Sequence, residues 1–142
     1  MSFAKILCAV DFSAPSRAAM ETAVRLARET SGAELTLVHV YYLPVLATPE
    51  LMLPVNIGEI KAAAEKALAG WRADALALGA SRVEAITIQG APWDMIVDAA
   101  KRGGHDLVVV GTQGRTGLKH VLIGSVAEKV VRHAPCAVLV VR

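Results

Sequence analysis

Short apolar runs alternate with helical segments along the whole chain, and this alternation restricts the fold more than any other feature. The predicted strands span residues 4–10, 34–40, 83–89, 106–110 and 136–141, and the predicted helices span 13–31, 59–78, 92–101 and 125–133. Five strands with four helical crossovers predict an α/β fold with an open, five-stranded parallel sheet covered by helices on both faces. We expect the Rossmann-like strand order 3-2-1-4-5, which puts a switch point between strands one and four.

Length and composition exclude several classes of protein. The 142 residues suit one domain spanning the whole chain, and a hydrophobic share of 54% argues against disorder. A net charge of +2 and an aromatic share of 4% argue against nucleic acid or an anionic membrane as partner. No apolar run reaches the roughly 18 residues of a membrane helix, and Asp11 ends the first run too early for a signal peptide. We therefore expect a cytoplasmic protein.

The cysteines and histidines indicate no metal or redox site. Cys8 and Cys136 fall within predicted strands, where we interpret both as small, buried hydrophobic residues. Neither they nor the four histidines have the spacing of a ligand set. The sequence thus predicts no intrinsic metal centre.

A glycine-punctuated loop between strand four and the last helix is the main candidate for a binding site. It contains Gly111, Gly114 and Gly124, and Ser125 follows at the predicted start of the helix. Glycines let the backbone come close to a ligand, and a helix N-terminus adds free N–H donors and partial positive charge. The spacing is neither that of a P-loop nor GxGxxG. We interpret the loop as a phosphate cradle; the alternative is a set of ordinary turn glycines.

Several polar residues near this loop have two interpretations. Asp11, at the end of strand one, either contacts a nucleoside or caps the following helix. Arg115 either pairs with a phosphate or is a solvated loop charge, and Lys119 and His120 are weaker candidates. The Ser125 hydroxyl either contacts a phosphate, caps its helix, or does each in turn.

The pattern Gly111-x2-Gly114-x9-Gly124-Ser125, with the strand end Val10-Asp11-Phe12-Ser13, resembles the nucleotide-binding signature of the universal stress protein family. The resemblance extends over residues 4–141 and is poorest in the proline-containing loop 41–57. It implies the ATP-binding branch. We expect Mg²⁺ or Mn²⁺ to arrive with the nucleotide, because Mg²⁺ usually binds through the phosphates and one or two carboxylates. The resemblance places Asp11 at the adenine and ribose end, and the Val38 backbone at the adenine edge. The residues expected to bind the nucleotide are Ala9, Asp11, Val38, Val110, Gly111, Gly114, Arg115, Gly124, Ser125 and Val126.

From these expectations we predict that the protein is a regulatory, stress-response module that binds ATP. No constellation of catalytic residues stands out, so we expect no efficient catalysis, although weak ATP hydrolysis stays open. One alternative is a slow ATPase or nucleotidyl-transfer enzyme on the same fold. Another is a dimeric structural protein that binds no nucleotide.

The last predicted strand, from Cys136 to Val141, is apolar at every position and forms a sheet edge in the expected order. An exposed edge of this kind invites pairing with another chain. We therefore expect a homodimer in which this strand pairs with its own copy about a two-fold axis. The resemblance agrees, since many members of the family dimerise through this strand. The alternative is that a helix or the loop 41–57 shields the edge.

Overall fold

A computed structural model of the protein describes residues 2–42, 56–112 and 123–142. Strands and helices alternate strictly, as predicted. In chain order they are β1 (Lys5–Ala9), α1 (Ala14–Glu29), β2 (Glu34–Tyr41), α2 (Ile57–Ala77), β3 (Val83–Gln89), α3 (Pro92–Gly103), β4 (Leu107–Gly111), α4 (Ser125–His133) and β5 (Ala137–Val141). Most bounds differ from the predicted ones by one or two residues.

All five strands form one parallel sheet in the order β3-β2-β1-β4-β5. The predicted α/β fold and strand order are therefore confirmed. The chain leaves β1 toward one side of the sheet and leaves β4 toward the other, so the switch point lies between these two strands. Ala9 and Gly111 are the last residues of β1 and β4, and both lie at the carboxyl edge.

The sheet is buried on both faces, which explains why its strands are apolar runs rather than alternating sequences. Helices α1 and α2 cover one face, where Ile6, Cys8 and Leu37 are fully buried. Helices α3 and α4 cover the other face, which includes Leu7 and Val108. None of the described helices combines the length and the apolar composition that a bilayer crossing requires.

The two cysteines differ in their surroundings. Cys8 lies in β1 and is fully buried, as predicted, and this burial raises the pKa of its thiol to about 12. Cys136 precedes β5 and is only half-buried. The prediction that Cys136 lies buried within the last strand is therefore wrong, because the edge of the sheet has a neighbouring strand on one side only.

Candidate functional site

A cleft of about 740 Å³ opens at the carboxyl edge of the sheet, over the switch point. Parallel α/β sheets bind ligands at this position. Strands β1, β2 and β4 form its floor, and helices α2, α3 and α4 contribute its walls. The residues that line it are Ala9, Val10, Asp11, Phe12, Ser16, Val38, His39, Val40, Tyr41, Tyr42, Ile60, Ala63, Ala64, Ala67, Pro92, Ile96, Val110, Gly111, Thr112, Gly124, Ser125, Val126 and Ala127.

Asp11 organises the turn that leads from β1 into α1. Its Oδ1 accepts hydrogen bonds from the Ser13 backbone N–H, at 2.9 Å, and from the Ser13 hydroxyl. Ser13 is the N-cap of α1, and its Oγ accepts from the Ser16 N–H at 3.3 Å. Asp11 therefore holds the capping residue rather than being the cap itself. Asp11 also lines the cleft.

Phe12 occupies the left-handed region with φ of 65°, which is rare for a large side chain. Its ring lies 4.5 Å from the His39 ring and 5.6 Å from the Trp71 ring, between centroids. The His39 Nδ1 lies 2.6 Å from the carbonyl oxygen of Val10. A carbonyl only accepts, so Nδ1 carries the proton and His39 ties β2 to the end of β1. The Asp11 turn and these ring contacts hold Phe12 in its strained conformation.

Backbone directions identify Val40, which the sequence analysis missed, as a polar position of the cleft. Val38 directs its carbonyl toward β1, where it accepts from the Val10 N–H at 2.8 Å. Tyr41 directs its carbonyl the other way and accepts from the Gly90 N–H. Since the backbone groups of successive strand residues alternate between sides, the N–H and C=O of Val40 point toward the β1 side. β1 has ended at that level, so they border the cleft.

Gly111 is a glycine because of how closely α1 approaches the end of β4. A Cβ built on Gly111 would lie 2.8 Å from the carbonyl carbon of Pro15. That separation is shorter than van der Waals contact and involves backbone atoms, which cannot move easily. The residue is therefore required by packing between α1 and β4, whatever its role toward a ligand.

Thr112 fixes the two ends of the loop that joins β4 to α4. Its N–H donates to the Val141 carbonyl at 2.8 Å, and its own carbonyl accepts from the Gly124 N–H. Only 8% of Thr112 is exposed. Because the Gly124 N–H already donates to Thr112, the first backbone donors available at the start of α4 are those of Ser125, Val126 and Ala127.

The alternative that Ser125 caps its helix is wrong. Gly124 is the N-cap of α4, with no side-chain cap, and Ser125 is the first helical residue. The Ser125 side chain is exposed and lines the cleft. Its hydroxyl thus stands beside the helix N-terminus without serving as the cap.

The cleft brings together all the predicted residues that the structure describes: Ala9, Asp11, Val38, Val110, Gly111, Gly124, Ser125 and Val126. Gly114 and Arg115 lie outside the described residues, as do Lys119 and His120. Their roles stay predictions. Most of the loop 41–57 also lies outside the described part of the chain.

Helix α2 supplies a wall of the cleft that the sequence analysis did not find. Ile60, Ala63, Ala64 and Ala67 line the cleft from this helix. Their spacing of three and four residues places them on one helical face. This spacing was visible in the sequence, but in an alanine-rich helix it does not distinguish a cleft wall from an ordinary packing face.

Comparisons with known proteins agree with this geometry. The model of the universal stress protein family matches residues 2–142. The chain is 36% identical to universal stress protein YxiE from Bacillus subtilis, over 99% of both chains. The structure of universal stress protein UspA from Lactobacillus plantarum superposes with a TM-score of 0.87 and 32% identity, over 100% of this chain and 99% of the other. A universal stress protein solved in complex with cAMP has a TM-score of 0.78 and 25% identity, over 100% and 99%.

Proposed function

We propose that this chain, which belongs to the universal stress protein family, is a regulatory module that binds ATP in the cleft at the switch point. The nucleotide would bring Mg²⁺ or Mn²⁺ with it. The observation that carries the proposal is that the first turn of α4 lines the same cleft as apolar residues of the sheet and of α2. A nucleotide requires this combination, with donors for its phosphates at one end and apolar walls for its base at the other.

The phosphate end of the proposed site is the first turn of α4. The N–H groups of Ser125, Val126 and Ala127 have no partner within their helix, and the helix dipole favours negative charge there. The Ser125 hydroxyl adds a donor beside them. We propose that Gly114 and Arg115, on the preceding loop, complete this end.

The base end of the proposed site lies between the sheet and α2. The Val40 N–H and C=O offer a donor and an acceptor side by side, which suits the paired acceptor and donor of an adenine edge. Ala9, Val38 and Val110 provide apolar surface next to them. We therefore move the expected backbone contact with adenine from Val38 to Val40, because the Val38 carbonyl already accepts from Val10.

The side chains available as metal ligands in the proposed site suit a metal ion that arrives with the phosphates of the nucleotide. Among residues 2–42, 56–112 and 123–142, no group of three or more His, Cys, Asp or Glu side chains could hold an ion. Mg²⁺ commonly binds through phosphate oxygens, waters and one or two carboxylates. In the proposed site Asp11 supplies the carboxylate.

The relative solved with cAMP supports adenine nucleotides as the ligand class and makes a cyclic monophosphate the competing ligand. Calorimetric titration with ATP, ADP, AMP, cAMP and GTP, with and without Mg²⁺, separates these cases. We expect ATP with Mg²⁺ to bind most tightly and GTP to bind at least tenfold more weakly. Binding of cAMP in preference to ATP would replace the proposed ligand. No heat with any adenine nucleotide at millimolar concentration would refute the proposal.

We also propose that the module is a single cytoplasmic domain and a homodimer joined through β5. The residues of β5 are apolar, and four of its five side chains are half-buried rather than buried. Pairing of β5 with its own copy would cover the exposed backbone of this edge. Sedimentation velocity at tens of micromolar tests the dimer, and a monomer under these conditions would contradict it.

A further inference from the structure

Thr112 joins three parts of the molecule through its backbone. Its N–H donates to the carbonyl of Val141, the last residue of β5. Its carbonyl accepts from Gly124, the N-cap of α4. Thr112 also follows Gly111, which packs directly against Pro15 of α1. Thr112 therefore forms one hydrogen bond with the end of the edge strand β5 and another with the start of helix α4, which lines the cleft.

The backbone of β5 divides into inner and outer groups. Val141 pairs with Gly111 and accepts from Thr112, so its backbone groups face β4. Backbone groups alternate along a strand, so those of Leu139 also face β4, whereas those of Val138 and Val140 face outward. A second chain at this edge would bind the outward groups, and the inner groups of the same short strand would hold Thr112.

We propose that nucleotide binding in the cleft and pairing of β5 with a second copy of the chain are linked through Thr112. This inference rests on the proposed function. Pairing on its outer side holds β5 in place, and β5 in turn fixes Thr112 and the start of α4. Conversely, phosphate binding at the start of α4 fixes Thr112, and Thr112 in turn fixes β5. The burial of Thr112 leaves it little freedom to move independently of either neighbour.

Such linkage is reciprocal, so ATP strengthens the dimer by the factor by which dimerisation strengthens ATP binding. Typical coupling between two sites changes the affinity at each site by about 5- to 150-fold. We expect saturating ATP with Mg²⁺ to lower the dimer dissociation constant of the wild-type protein by at least about fivefold. Sedimentation over a dilution series measures this change, and exchange of labelled subunits measures it when the dimer is too tight to dilute.

The wild-type experiment separates the two proposals. In one outcome, calorimetry shows ATP binding while ATP changes neither the dimer dissociation constant nor the rate of subunit exchange. That result would overturn the linkage and leave the proposed function intact. An absence of ATP binding would refute the proposed function and the linkage together. A chain that stays monomeric with ATP bound would refute the dimer and therefore the linkage.

Two variants of Thr112 test the route. Thr112→Pro removes the N–H that donates to Val141, and Thr112→Ser retains it. We expect Thr112→Ser to keep the effect of ATP on dimerisation and Thr112→Pro to lose most of it, with some nucleotide binding retained. Equal linkage in the two variants would show that the coupling does not pass through this hydrogen bond. The wild-type measurement decides the linkage itself if Thr112→Pro does not fold.

Discussion

Ser125 offers a test in which ligand binding and folding respond separately. A hydrogen bond to a charged group contributes about 1.5–3 kcal/mol, so Ser125→Ala should weaken ATP binding roughly ten- to a hundredfold. Since Gly124 is the N-cap of α4, the substitution removes no cap and should leave the melting temperature almost unchanged. Calorimetry and thermal unfolding measure the two effects.

Ser13→Ala is the matched control for stability. Ser13 caps α1, and loss of such a cap costs about 1 kcal/mol of the free energy of unfolding. We expect this variant to unfold at a lower temperature than Ser125→Ala. Full ATP affinity in Ser125→Ala would show that the hydroxyl does not contact the ligand.

His105 should make stability depend on pH. Desolvation by partial burial is the main cause that lowers the pKa of this histidine, and nearby Lys5 lowers it further. Its Nε2 lies 3.2 Å from the Thr36 hydroxyl. In the unfolded chain the pKa returns to about 6.5, so the unfolded state binds the proton first as the pH falls. The free energy of unfolding should therefore decrease below about pH 6.5 and change little from this source above it.

Comparison with His105→Gln isolates this contribution from that of the other histidines. Urea unfolding of both proteins between about pH 7.5 and 5 gives the difference in the free energy of unfolding. We expect the wild type to lose stability relative to His105→Gln toward the acid end. A difference that is constant over this range would contradict the lowered pKa.

The edge strand β5 has two sides, and proline distinguishes them. Val138→Pro removes an outward N–H and should shift the proposed dimer to monomer with little effect on the sheet. Leu139→Pro removes an N–H that faces β4 and should lower the stability of the folded chain itself. Sedimentation measures the first effect and thermal unfolding measures the second. Equal loss of stability in both variants would contradict the assignment of inner and outer groups.

The two cysteines report on the opening of the whole molecule. Cys8 is fully buried in β1, at the centre of the sheet, and burial raises its pKa to about 12. Cys136 is half-buried at the edge, and desolvation raises its pKa as well. We expect a thiol reagent to modify Cys136 in the folded protein. Cys8 should react only at the rate of global unfolding, because a central strand is exposed when the sheet opens.

The variants Cys8→Ala and Cys136→Ala assign the two reactions, followed by absorbance with a chromogenic disulfide reagent. Slow modification should persist in Cys136→Ala and accelerate in urea. Rapid modification of Cys136→Ala under native conditions would show that β1 becomes accessible through local motion.

The order of strands and helices follows from local sequence patterns, and so does the carboxyl edge at which a site would form. The apolar runs of β1 and β4 required burial on both faces, and right-handed crossovers left few arrangements of the sheet. The sequence also identified Asp11, Gly111 and Ser125 as candidates for the site, because each lies where a strand ends or a helix begins.

The contacts of these residues, in contrast, depend on how distant segments pack together. Gly111 meets Pro15, which is distant in the sequence, and a glycine pattern does not reveal which neighbour requires the missing side chain. The proposed adenine contact lies at Val40 rather than Val38 because hydrogen-bond direction in a sheet depends on register, and register is fixed by pairing with β1 and β3. The partnership of Thr112 with Val141 and Gly124 likewise arises only when β4, β5 and α4 meet. Local sequence fixes the type and order of the secondary structure, whereas contacts between distant segments depend on packing the whole chain.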